Sequence, residues 1–203
     1  GVPENDKTAV MWYTKAAKRG YADAQYSLGV MYVNGEGVPE NDKTAVMWYT
    51  KAAEQGYADA QYSLGSRYRN GEGVPENDKT AAMWYTKAAE QGYADAQSNL
   101  GVMYKYGWGV PENDKTAVMW YTKAAEQGHT PAQSNLGSMY ANGEGVPEDD
   151  IQGYVWYSMA KASGNETAKG NLELLKKEIT KEQIAKAQEL AAKCYESDYK
   201  DCN

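Results

Sequence analysis

Side chains suited to catalysis are scarce in this sequence. His129 is the only histidine, and it stands in a predicted turn. No Ser-His-Asp or Cys-His relay can be assembled without it, since imidazole supplies the base in both. Ser158-Met159-Ala160-Lys161 matches the S-x-x-K of penicillin-recognising enzymes. Its companions are missing: Lys-Thr is followed by Ala, not Gly, and there is no S-D-N. Glu36, Glu40 and Asp42 put carboxylates near glycine, which raises calcium. The spaced D-x-D-x-D-G loop is absent, however, and Asp42 reads better as a helix cap. Asn165-Glu166-Thr167 is a glycosylation sequon in form, but it aligns with an ordinary inter-helix turn. No glycine-rich phosphate loop, metal-spaced cysteine set or basic-aromatic strip is present. The reading is therefore of no catalytic residues, no metal and no cofactor.

The elements that would carry any other chemistry are set by a repeat. Gly-Val-Pro recurs at Gly1, Gly37, Gly73, Gly109 and Gly145, each 36 residues after the last. A fixed period of this size means stacked supersecondary units. Within one unit, Ala45, Trp48, Tyr49, Ala52 and Ala53 follow helical spacing, so Asp42–Gln55 is predicted as a helix with one apolar face. Asn41 and Asp42 are N-cap candidates, and Gly56 ends the helix. A second helix is predicted from about Asp59 to Arg69, with Tyr57, Ala60, Leu64, Gly65 and Tyr68 on one face. Gly65 recurs as Gly29, Gly101 and Gly137, a mid-helix position that implies close helix approach. Asn70-Gly71 stops the helix and Gly73-Val74-Pro75 turns the chain. A lone helix pair cannot bury a Trp and several Tyr, so each pair must lean on its neighbours.

Asp42, Ala45, Trp48, Tyr49, Ala52, Ala53 and Gly56 make the first half of the unit. Ala58-x-Ala60-Gln61-x-x-Leu64-Gly65-x-x-Tyr68-x-x-Gly71 makes the second. This pattern resembles the Sel-1-like repeat family, relatives of the tetratricopeptide repeat, over four full copies and much of a fifth. The resemblance implies an all-α, right-handed α/α superhelix (solenoid) of about five 36-residue helix-turn-helix repeats plus a C-terminal capping helix. Residues 1–177 are read as the solenoid and 178–203 as the capping helix and tail. The fifth repeat decays, with Glu173 and Lys176 where Gly and Tyr stand elsewhere, as expected of a terminal repeat. Thr180 and Gln183 form a capping-box pattern. Ile184, Ala187, Leu190, Ala191, Cys194 and Tyr195 give the last helix its apolar face.

The formal net charge is −7, which argues against nucleic acid or an anionic membrane as main partner. No apolar run reaches the roughly 18–20 residues of a membrane span. The chain starts in register at Gly1 without Met or a signal peptide, and reads as an excised or mature piece. Cys194 and Cys202 are close enough to close a small disulfide loop, or stand as free thiols on a frayed tail. A disulfide would imply an oxidising compartment, and export is common among bacterial proteins resembling this one. A periplasmic or secreted monomer is the expectation.

Two features suit binding. On a helical wheel, Lys43, Met47, Thr50, Lys51 and Glu54 lie opposite the Ala-Trp-Tyr face. In solenoids resembling this one, first helices line a concave groove. Lys43, Met47 and Lys51, with their copies Lys79, Met83, Lys87, Lys115, Met119 and Lys123, are the groove candidates. Methionine adapts to irregular partners; alternatively each Met fills a seam between neighbouring first helices. Tyr106 and Trp108 replace polar loop residues in the third copy only, as a partner contact or as local packing.

The expected function is a non-enzymatic scaffold that binds an extended peptide or partner protein through the groove, with the Lys columns favouring carboxylates. One alternative is cell-wall fragment or β-lactam binding or hydrolysis. It rests on the description of some Helicobacter cysteine-rich relatives, whose cysteine pair per repeat is missing here. The other is a structural or consensus-like repeat array with no ligand of its own. Trp12, Trp48, Trp84, Trp120 and Trp156 are expected to be buried between the helices of each unit.

Overall fold

The structure, a computed structural model, describes residues 4–202. Among them are eleven helices and no strand: α1 (Glu4–Lys18), α2 (Ala22–Asn34), α3 (Asp42–Glu54), α4 (Ala58–Asn70), α5 (Asp78–Glu90), α6 (Ala94–Tyr106), α7 (Asp114–Ala125), α8 (Thr130–Asn142), α9 (Asp150–Ala162), α10 (Glu166–Glu178) and α11 (Lys181–Glu196). The first ten form five pairs in an α/α solenoid arrangement, as the periodicity predicts. The chain divides into two compact units, Gly1–Ala96 and Gln97–Asn203, with the division inside α6.

Helices α3, α5 and α7 start at a side-chain cap, whereas α2 and α4 begin after Tyr21 and Tyr57 without one. Asn41 is the N-cap of α3, and its Oδ1 accepts from the Thr44 amide at 2.9 Å. Asn77 and Asn113 repeat this at α5 and α7. Asp42 is thus not the cap. It is the first helical residue, and its carboxylate instead receives Arg67 at 3.0 Å. The second helices end on Gly35, Gly71 and Gly143 in the left-handed region, where a side chain would cost energy. The following Gly73 has φ 74°, and a Cβ there would lie 2.5 Å from the Asp42 carbonyl oxygen. That contact presses the Gly-Val-Pro loop onto the start of α3.

Packing is densest between a second helix and the first helix of the next repeat, as in α2 with α3, α4 with α5 and α8 with α9. The mid-helix glycines explain this. A Cβ on Gly29 would meet the Tyr49 ring at 2.6 Å, and one on Gly65 would meet Tyr85 at 2.7 Å. Gly137 stands in the same way to Tyr157. The missing side chain makes room for the next repeat's tyrosine.

Tryptophan follows the same logic and corrects the expectation above. Trp48 is 8 % exposed, in a cluster with Ala17, Ala24 and Leu28 of the preceding repeat. Trp84 clusters with Ala45, Ala52, Ala60 and Leu64 in the same way. These rings pack backward onto the repeat before them, not between the helices of their own unit. Trp12 has no such partner in the described residues and is 60 % exposed.

Buried glutamines tie the pairs together. Gln61 Nε2 donates to the Ala53 carbonyl at 3.1 Å, and its Oε1 accepts from Gln91 Nε2 of the next repeat at 2.7 Å. Gln25 does the same with Ala17 and Gln55. A buried amide must have its hydrogen bonds satisfied, so each Gln fixes the stagger between repeats. The series ends at Gln133. Its Nε2 reaches Ala125, but its Oε1 is buried without a partner, because Ser163 stands where the next glutamine would be.

The last helix is capped as predicted, by the reciprocal Thr180–Gln183 box. Its position is not that of a sixth first helix stacked on α10. It lies against α9. Ala191, Cys194 and Cys202 join Val155, Trp156 and Met159 in one cluster, and Ile184 and Ala187 join Leu172, Leu175 and Ile179 in another. The physical reason is on α10. Glu173 fills the place of the ring-admitting glycine, and Leu174 beside it stays 58 % exposed.

Candidate interaction face

The first helices present two faces of different chemistry. On α3, Ala45, Val46, Trp48, Tyr49, Ala52 and Ala53 are buried. The intervening Lys43, Met47 and Lys51 are exposed. Because 3.6 residues make a turn, these three follow one another along the outer face. Lys79, Met83 and Lys87 repeat the arrangement on α5, and Lys115, Met119 and Lys123 on α7. Met47 is 44 %, Met83 46 % and Met119 44 % exposed. The second, third and fourth repeats thus each leave an unbranched apolar side chain nearly half in water.

The two lysines of each set stand differently. Lys51 Nζ lies 4.7 Å from the centre of the Trp48 ring, Lys87 4.3 Å from Trp84 and Lys123 4.5 Å from Trp120. These cation–π contacts hold the ammonium beside the Met while leaving the side chain exposed. Lys43 and Lys79 make no ion pair among the described residues. A hollow of about 370 Å³ beside Lys43 is lined by Gly71, Gly73, Val74 and Pro75. Each set is therefore a methionine between two positive charges, on a protein that is acidic overall.

Tyr106 and Trp108 stack on each other, centroids 5.0 Å apart and planes at 28°. They are 54 % and 37 % exposed. Lys105 lies 5.9 Å from the Tyr106 ring and pairs with Glu144 at 2.6 Å. The hydrogen bond from Lys105 holds the Glu144 carboxyl below the usual carboxylate range.

Two other candidates, His129 and Asn165, are helix caps. His129 caps α8, its Nδ1 accepting from the Ala132 amide at 3.2 Å. Asn165 caps α10 through the Ala168 amide at 2.8 Å. Ser158 and Lys161 lie near the end of α9, Lys161 exposed. Glu72 pairs with Arg67 at 2.6 Å. No His, Cys, Asp or Glu side chains among the described residues gather closely enough to hold a metal ion. No described helix is long and apolar enough to cross a membrane. Cys194 and Cys202 are joined in a disulfide and both are buried. Burial, then the neighbouring Tyr26, pushes the Tyr49 hydroxyl up to about 12.

Sequence reasoning missed one feature of this face. In the fifth repeat the Lys-Met-Lys positions are Ile151, Val155 and Met159. Val155 and Met159 are buried in the cluster that α11 completes. The signal was available as a change from charged to apolar at a fixed register.

Comparisons with known proteins agree with this architecture. The family model described as Sel1 repeat matches residues 1–21, 22–57, 58–93, 94–129 and 130–165. Among solved structures, a Sel1 repeat protein from Oxalobacter formigenes is 40% identical, with TM-score 0.78, over 85% of this chain and 50% of that one. A protective antigen of uropathogenic Escherichia coli displaying an SLR fold is 30% identical, with TM-score 0.48, over 98% of this chain and 58% of its own. An immunity protein from Pseudomonas aeruginosa is 25% identical, with TM-score 0.51, over 94% of this chain and 72% of its own. The chain spans about half the length of the Oxalobacter formigenes protein. No curated protein matches.

Proposed function

Since the chain belongs to the Sel1 repeat family, whose repeats generally serve as non-catalytic scaffolds for protein interaction, we propose that its first-helix face is the interaction surface. The observation that carries this is the exposure of Met47, Met83 and Met119 on helices whose other apolar residues are buried. Methionine adapts to partner shape at low cost. The flanking lysines add attraction for a peptide or protein segment rich in carboxylates, and this attraction is screened by salt. Similar sub-sites repeated every 36 residues suit a partner that engages several weak contacts at once. Tyr106 and Trp108 offer a second, smaller contact.

The Cys194–Cys202 disulfide supports a working place in an oxidising compartment, the bacterial periplasm or exterior. The protein acts there as a monomer, to be checked by its elution volume.

The test is a pulldown followed by titration of the recovered partner against Met47→Ser/Met83→Ser/Met119→Ser. The expected result is weaker binding at an unchanged melting temperature, and weaker binding of the parent at high salt. Unchanged affinity of the triple variant would move the site elsewhere, with Tyr106 and Trp108 the next to replace.

A further inference from the structure

The chain supplies its own example of what sits on a first helix. On α9 the positions equivalent to Lys43, Met47 and Lys51 are Ile151, Val155 and Met159, and the segment lying against that helix is α11. An amphipathic helix therefore fits this face of the repeat. Its apolar residues are Ile184, Ala187, Leu190, Ala191 and Cys194. Its exposed Lys181 and Lys186 flank that stripe, and the two α9 positions that hold lysine in the other repeats are the uncharged Ile151 and Met159. On α3 and α5 the same register is open, keeps one apolar residue at its centre, and carries lysine on both sides. The geometry accepted is that of a helix; the charge required is reversed.

From this juxtaposition we propose that the Lys-Met face of α3 and α5 takes an amphipathic α-helix of a partner protein, with an apolar stripe flanked by Asp and Glu. The inference rests on the reading of that face as the interaction surface and adds the conformation and charge pattern of the occupant. The apolar stripe covers Met47 and Met83, and the acidic flanks meet Lys43, Lys79 and the ammonium groups held over Trp48 and Trp84. Helix-in-groove recognition of this kind reads anchors at i, i+3, i+4 and i+7.

The probe is a synthetic peptide of the Thr180–Glu196 sequence carrying Lys181→Glu, Lys186→Glu and Cys194→Ala, titrated against the full-length protein. A second peptide keeps both lysines and carries only Cys194→Ala. A third adds Ala187→Pro and Ala191→Pro to the acidic peptide, which prevents a helix. The acidic peptide is expected to bind and to gain helical circular dichroism on binding. Its affinity should fall at least about tenfold with the lysines restored, with the proline pair, and in Met47→Ser/Met83→Ser protein. Lys43→Glu/Lys79→Glu protein should reverse the preference between the first two peptides. If the proline peptide binds as tightly as its parent and both weaken in the Met variant, the helical occupant is wrong and the face assignment stands. If no acidic peptide binds, or binding ignores both variants, the face assignment falls as well.

Discussion

Gly65 shows how one residue carries the packing between repeats. Inside a helix it costs roughly 1 kcal/mol relative to alanine, yet an alanine Cβ would meet the Tyr85 ring at 2.7 Å. Overpacking of this kind costs about 1–3 kcal/mol, so Gly65→Ala should lower the melting temperature. Gly170 is the control. It lies within α10, with nothing within 4 Å of its Cβ position, so Gly170→Ala should stabilise by up to about 1 kcal/mol. Thermal melts of the two variants should move in opposite directions. Gln133 makes a second residue-scale case. Giving its orphaned Oε1 the missing donor through Ser163→Gln should add about 0.5–1.5 kcal/mol, measured by urea unfolding; no gain would mean the glutamine series does not couple repeats. The glycine was legible in the sequence as a mark of close approach, because nothing else justifies it in mid-helix. Its tyrosine was not, because the contact exists only once the next repeat is stacked. The buried glutamines were missed because a polar residue on a helix gives no periodic apolar signal.

At the scale of elements, α11 is the informative case. Its existence and its capping box were readable from Thr180, Gln183 and the apolar stripe. Its position on α9 was not, because that depends on Glu173 closing the usual stacking slot and on Val155 and Met159 offering another. Deleting residues 180–203 should therefore expose Val155, Trp156 and Met159 first, and Leu172 and Leu175 second. The truncated chain should melt lower and bind a hydrophobic dye; a monomer with the parent's melting curve would contradict the packing. The Lys105–Glu144 pair links α6 to the loop after α8. Lys105 lowers the folded-state pKa of Glu144, so the folded protein binds fewer protons there than the unfolded chain. That contribution is complete above the carboxylate's ordinary value of 4.5 and is lost as pH falls through the lower folded value. The pair is partly exposed, which limits it to about 0.5 kcal/mol. Lys105→Met should remove it, so the stability difference from the parent should be constant from pH 7 to pH 5 and shrink toward pH 3.

Taken as a whole molecule, the chain spends its apolar residues on holding repeats together, and little is left over. The five glycine-marked repeats and their helices could be read directly from the 36-residue period, since every local signal recurs in register. The two compact units, dividing inside α6, could not, because the period is the same on both sides. What the repeats leave in water is a methionine between lysines, on α1, α3 and α5 in the first unit and on α7 in the second. That face is the proposed seat of a partner. Oxidation by dilute peroxide, read residue by residue by mass spectrometry, tests it most directly, because sulfoxide formation follows exposure of the sulfur. In the free protein Met47, Met83 and Met119 should oxidise well before the buried Met103 and Met139. With a saturating amount of the partner recovered by pulldown, Met47 and Met83 should become protected while Met103 and Met139 stay slow. Oxidation of Met47, Met83 and Met119 at the same rate with and without partner would contradict it.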